Sequence, residues 1–152
     1  MADSSQVNLR LTPGELLIGA GAIVTFVFSF FHFYTAASVQ TLRGTVSIGN
    51  DVSAWSSGLV PVATLIVFFT AIMGIQVILT RLANLDVGPG IAGFTWVQIH
   101  VALGFFAVID SLAFLIVDKG GRGVGIGLIF MLIGSIACLV GAILLMNERA
   151  NA

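Results

Sequence analysis

Two side chains able to exchange a proton sit inside a stretch apolar enough to cross a bilayer. The stretch runs from Phe94 to Val117, FTWVQIHVALGFFAVIDSLAFLIV, and holds His100 and Asp110, with Gln98 near its start. A carboxylate at membrane depth costs roughly 2.5–3.5 kcal/mol even on lenient insertion scales, so Asp110 needs something to offset it. His32 lies near the end of an earlier apolar stretch. If both stretches are helices starting from the same side, the helix rise puts His32 and Asp110 within a turn or two of one depth, and His100 in the other half. The expected partner of Asp110 is therefore His32, with Tyr34, Ser29 or Ser111 assisting, as an ion pair or a neutral hydrogen bond. Three roles stay open for Asp110. It fixes the register of two spans with His32, it meets a helix of a partner protein, or it lines a proton or ion path with His32 and His100.

His100 belongs to a second pattern. His100, Gly104, Ala107 and Ser111 fall on one helix face at 4-3-4 spacing, and three of the four are small. Another helix can approach there, which makes His100 a packed, hydrogen-bonded residue rather than a metal ligand. Haem ligation by both histidines is excluded within one chain, because His32 and His100 stand about 15 Å apart on the helix rise. No cofactor is expected. The single cysteine, Cys138, excludes an internal disulfide and a cysteine-based metal site. No Ser-His-Asp arrangement, paired carboxylate site, zinc spacing or phosphate loop appears, and the chain is not expected to be an enzyme. The glycines between Gly120 and Gly127 read as a turn followed by a packing face.

The elements that must position these residues follow from composition. Only 9% of the 152 residues are Asp, Glu, Lys or Arg, against about a quarter in soluble domains, and 58% are apolar. Mean hydropathy is +1.10. The chain thus reads as an all-α, polytopic membrane protein, an antiparallel bundle of four transmembrane helices. The net charge of −1 gives no reason to expect a nucleic-acid partner or a polybasic lipid-binding face. The N-terminus lacks a basic segment followed directly by an apolar core and a cleavage site, so the first apolar segment is expected to be retained.

The expected plan is a polar tail over residues 1–12, a helical domain over 13–146 and a tail over 147–152. Thr12-Pro13-Gly14-Glu15 reads as a capping box with proline at the first helical position. The spans are expected at about 14–34, 58–80, 94–117 and 124–146, each long enough for roughly 30 Å of hydrocarbon. Gly21, Thr25 and Ser29 give the first span a small-residue face. Residues 35–57 form a polar loop in which a short strand pair near Val46–Ile48 is an option. Pro61 suits the first turn of the second span. Gln76 and Gln98 could bond across spans two and three, and Asp118, Lys119 and Arg122 read as a solvated turn. In the fourth span Gly127, Gly134 and Gly141 recur every seven residues and stack on one face, the best packing seam in the chain. Trp55 and Trp96 read as interface anchors on opposite sides. The positive charges tie, with Arg10, Arg81 and Arg149 on the side of the termini and Arg43, Lys119 and Arg122 opposite. Cytoplasmic termini in a cell membrane are the working expectation.

A capped first span, a polar Ser/Gly-rich first loop ending in Ala54-Trp55-Ser56-Ser57-Gly58-Leu59, and three further spans resemble small four-span membrane proteins of actinobacteria. A Trp followed by Gly-Leu in a first loop is also similar to claudin-type proteins, although the paired loop cysteines of that family are absent. The actinobacterial resemblance implies a cell-envelope setting and a non-enzymatic role. The expected function is association in the bilayer, as an accessory or assembly subunit of a larger membrane complex or as a homo-oligomer. The alternative is a small proton or ion channel or transporter subunit using Asp110 with His32 and His100.

Overall fold

The computed structural model describes residues 11–150. Four helices carry most of the chain: α1 (Pro13–Phe28), α2 (Val62–Arg81), α3 (Trp96–Ile116) and α4 (Ile126–Ala150). The last three are each long and apolar enough to cross a membrane, while α1 is apolar but shorter, at 16 residues. Each helix packs against two neighbours, in the cyclic order α1, α2, α3, α4. We call the end where α1 begins and α4 finishes the near end, and the opposite one the far end.

Local chemistry sets the helix starts. Thr12 and Glu15 form a reciprocal capping box ahead of α1, and Thr95 with Gln98 does the same for α3. Pro61 stands just before α2, where a missing N–H costs nothing. The expected first span, 14–34, is corrected at its far end, because α1 stops at Phe28. There the Ser29 hydroxyl donates to the Phe26 carbonyl (2.6 Å) and Phe31 N–H returns to the Phe28 carbonyl (3.1 Å). The released chain is then captured by the start of α4, where Gly125 and Gly127 donate their N–H groups to the Phe33 (3.0 Å) and His32 (2.9 Å) carbonyls. No side chain would fit at either glycine, since an added Cβ would run into the same carbonyls.

The far end also carries a sheet, so the fold is helical with a β cap rather than all-α. Strand β1 (Tyr34–Thr41) pairs antiparallel with β2 (Gly44–Ile48) through the two-residue turn Leu42-Arg43. The short strand pair considered near Val46–Ile48 is thus an eight-residue strand against a five-residue one. On its other side β1 pairs with the strand Arg122–Val124, numbered β5 in chain order. The expected solvated turn between spans three and four is therefore partly a strand. The remaining two strands, β3 (Gly90–Ile91) and β4 (Phe94–Thr95), make a small hairpin before α3 at the near end.

Two apolar cores are stacked along the helices. The far one gathers Phe33, Tyr34, Ile66, Ala107, Leu128 and Met131, and the near one Ile18, Met73, Val77, Val97, Cys138 and Ala142. Each helix also buries one hydroxyl residue completely: Thr25, Thr70, Ser111 and Ser135. Each donates to a carbonyl of its own helix, at 2.9, 3.0, 2.8 and 2.8 Å. That local bond satisfies each of the four hydroxyl donors within its own helix, so these residues act as small spacers rather than as cross-links.

Candidate functional site

The glycine face of α4 meets α1 along its whole length. Gly134 lies against Gly21 and Thr25, with an added Cβ 2.7 Å from the Gly21 carbonyl oxygen. Gly141 lies against Gly14 and Ile18, 2.6 Å from the Gly14 carbonyl oxygen by the same measure, and Gly127 lies against the Phe28–His32 segment. Backbones approach this closely only where both sides lack a side chain. Read from the sequence, the seam was the best packing face in the chain, with no partner assigned to it. In the structure it is an internal joint between the chain's first and last helices.

On α3 the face of His100, Gly104, Ala107 and Ser111 is buried throughout. Gly104 faces Leu139 of α4, with an added Cβ 2.9 Å from its Cα. His100 is fully buried, and neither ring nitrogen has a hydrogen-bond partner among the described residues. The Trp96 ring lies one turn away, 6.4 Å between centroids. Beside this face a groove of about 450 Å³ opens between α3 and α4, lined by Gln98, Val101, Phe105, Leu139, Ile143 and Met146.

The expected pairing of Asp110 with His32 does not form. His32 has already left the helix, its side chain is 61% exposed, and Nε2 stands 3.5 Å from Asp51 Oδ2. The other Asp51 oxygen accepts the Ala36 N–H at 2.7 Å, so Asp51 stitches the start of β1 to the loop before α2. Asp110 stays on α3 at intermediate exposure, and its Oδ2 is buried without a hydrogen-bond partner. One turn earlier, Phe106 meets Phe69 of α2 with centroids 6.4 Å apart, which puts Asp110 on the α2 side of α3. His32, His100 and Asp110 therefore occupy three separate settings: a surface pair, the interior, and the rim of α3. The structure brings no two of them together. The expected bond between Gln76 and Gln98 is absent as well, because Gln98 Oε1 accepts the Thr95 N–H (2.9 Å) in the cap of α3.

Four polar contacts were missed: Glu15 with Arg81, Tyr34 with Phe114, Trp55 with Ser29 and Trp96 with Gly88. Glu15, 5% exposed, accepts the Thr12 N–H on Oε2 (3.0 Å) and Arg81 Nε on Oε1 (2.7 Å), tying the start of α1 to the end of α2. Both residues were assigned to the same side from the sequence, and antiparallel neighbours place them level. Tyr34 donates its hydroxyl to the Phe114 carbonyl at 2.7 Å. Burial pushes the Tyr34 phenol above its ordinary value near 10, so it keeps its proton and its donor role. Trp55 stacks on Phe30 at 5.7 Å and donates Nε1 to the Ser29 hydroxyl at 2.9 Å, which locks the loop onto the end of α1. Trp96 donates to the Gly88 carbonyl at 3.1 Å and fixes the near-end hairpin.

Among the described residues, no three His, Cys, Asp or Glu side chains stand close enough to hold a metal ion together. Compared with models of protein families, with curated proteins and with solved structures, the chain matches none.

Proposed function

We propose that this chain is a non-catalytic integral membrane protein with four spans, α1 crossing with the help of the Ser29–Phe31 turn, and that it works by association with other membrane subunits in the cell envelope. The observation that carries this reading is the β1–β2 hairpin. Its register pairs Ala37 with Ile48 and Val39 with Val46 on one face, and Ser38 with Ser47 and Gln40 with Thr45 on the other. Alternation of this kind belongs to a strand pair with one apolar face to cover. Val39, Val46 and Ile48 are all solvent-exposed, and all of β2 is exposed. The far end thus presents an uncovered apolar face on a strand pair anchored by β5, outside the helices, which is the form an interaction surface takes.

The test is extraction in mild detergent at native expression level, followed by native mass spectrometry. The expected species is heavier than the 15.9 kDa chain by a defined stoichiometric increment. The double variant Val39→Thr/Val46→Thr is expected to release that increment while the melting temperature of the isolated chain stays within about 2 °C, since surface changes alter stability by less than about 0.5 kcal/mol. A lone monomer from wild-type membranes would rule the reading out.

A further inference from the structure

Asp110 is where the chain leaves membrane chemistry unfinished. It lies 14 residues after Trp96, the first residue of α3, and six before Ile116, the last. At the helix rise that is about 9 Å inside the far end, well within the apolar belt. Its neighbours on the outer surface of α3, Phe106 and Ile109, are 55% and 46% exposed, so the carboxyl sits beside an open apolar ridge. One carboxyl oxygen is buried without a partner among the described residues. The residues able to satisfy it from within the chain are engaged elsewhere. His32 is on Asp51, and the Ser111 hydroxyl is on Ala107. Lys119, the nearest cation along the chain, donates to the Leu115 carbonyl at 2.6 Å.

We propose that Asp110 is the intramembrane contact for a helix of a different protein, one presenting a basic or hydrogen-bond-donating side chain at the same depth. This rests on the association reading above and names the chemistry of the partner. Charge complementarity argues against a second copy. The chain's six Lys and Arg residues are Arg10, Arg43, Arg81, Lys119, Arg122 and Arg149. Arg81 and Arg149 lie in the last turns of α2 and α4 at the near end, and Arg43, Lys119 and Arg122 lie beyond the helices at the far end. A symmetric copy would set carboxyl against carboxyl, whereas a foreign helix with a Lys, Arg, Asn or Ser would pair with the accessible side of this half-exposed carboxyl and cover the Phe106–Ile109 ridge in one contact.

The experiment places a photo-crosslinking residue at Ile109 of the full chain in native membranes and maps the adduct by mass spectrometry. The expected adduct lies on a transmembrane segment of another protein, within one turn of a Lys, Arg, His, Asn, Gln, Ser or Thr. Asp110→Leu is expected to lower its yield at least tenfold, and Asp110→Asn less. Because Asp110 has no partner within the chain, Asp110→Leu is also expected to leave the melting temperature of the isolated protein unchanged or raised. An adduct yield untouched by Asp110→Leu, an adduct on a second copy, or an adduct on a wholly apolar segment overturns the inference. So does a lowered melting temperature of the isolated variant, which would mark an intrachain role. If wild-type protein is found in a complex that Asp110→Leu leaves intact, only this inference fails. If wild-type protein is monomeric, the association reading fails with it.

Discussion

At the far end of the molecule, segments distant in sequence meet. The chain leaving α1 gives its carbonyls to the start of α4, β1 pairs with β5, and Tyr34 reaches Phe114 across 80 positions. At the near end the bonds are mostly local: two capping boxes, a two-residue hairpin, and one long-range ion pair between Glu15 and Arg81. The first end is held mainly by backbone bonds between distant segments, the second mainly by local caps and side chains, although Gly141 still packs tightly on Gly14 there. The fully buried His100, with neither nitrogen bonded, lies toward the second. One oxygen of Asp110, also without a partner, lies toward the first, so each half of the bundle keeps an unsatisfied polar side chain.

Substitutions can break this contrast in graded steps. The largest effect is expected for Gly125→Ala at the far end, where the new methyl would run into the His32 carbonyl. Backbone cannot move aside as a flexible side chain can, so a loss of about 3 kcal/mol or more is expected, at the top of the usual over-packing range. Thermal unfolding in detergent checks it, with Gly19→Ala as the control, since nothing lies within 4 Å of that position. Next comes Arg81→Ala at the near end, which leaves the buried Glu15 carboxylate with its Thr12 bond alone. Arg81 is 47% exposed, so water replaces part of its charge, and about 2 kcal/mol is expected, with Glu15→Gln on the Arg81→Ala background recovering most of it. The smallest is His32→Ala, which removes an exposed 3.5 Å contact with Asp51 and should cost less than about 0.5 kcal/mol. If His32→Ala proved as damaging as Arg81→Ala, the far end would depend on side chains after all.

The sequence showed some of this plainly. Four apolar segments, the capping box at Thr12 and the small faces of α3 and α4 follow from composition and spacing. The end of α1 did not. Phe28 to Tyr34 reads FSFFHFY, apolar without a glycine or proline, and hydropathy alone cannot tell a helix that continues from one that unwinds onto a neighbour. That single misreading put His32 at the wrong depth and produced the pairing with Asp110. The β1–β5 pairing was hidden because a three-residue strand in a glycine-rich turn has no periodicity of its own. The partner of the glycine seam was in fact legible: Gly14 and Gly21 repeat the seven-residue spacing of Gly134 and Gly141. Matching intervals on two segments of one chain point to an internal joint before they point to a foreign subunit.

The hairpin turn at Leu42-Arg43 has a practical meaning. Leu42 is fully exposed, and nothing lies within 4 Å of a side chain added at Gly44. Both strands leading into the turn are held by neighbours, β2 by β1 and β1 in turn by β5. The chain can therefore be opened here and lengthened outward, with the two cut edges kept in register by the sheet. This is a port in the fold: a short epitope or protease site would project from the far end, opposite the start of α1, and report which face of the membrane that end occupies.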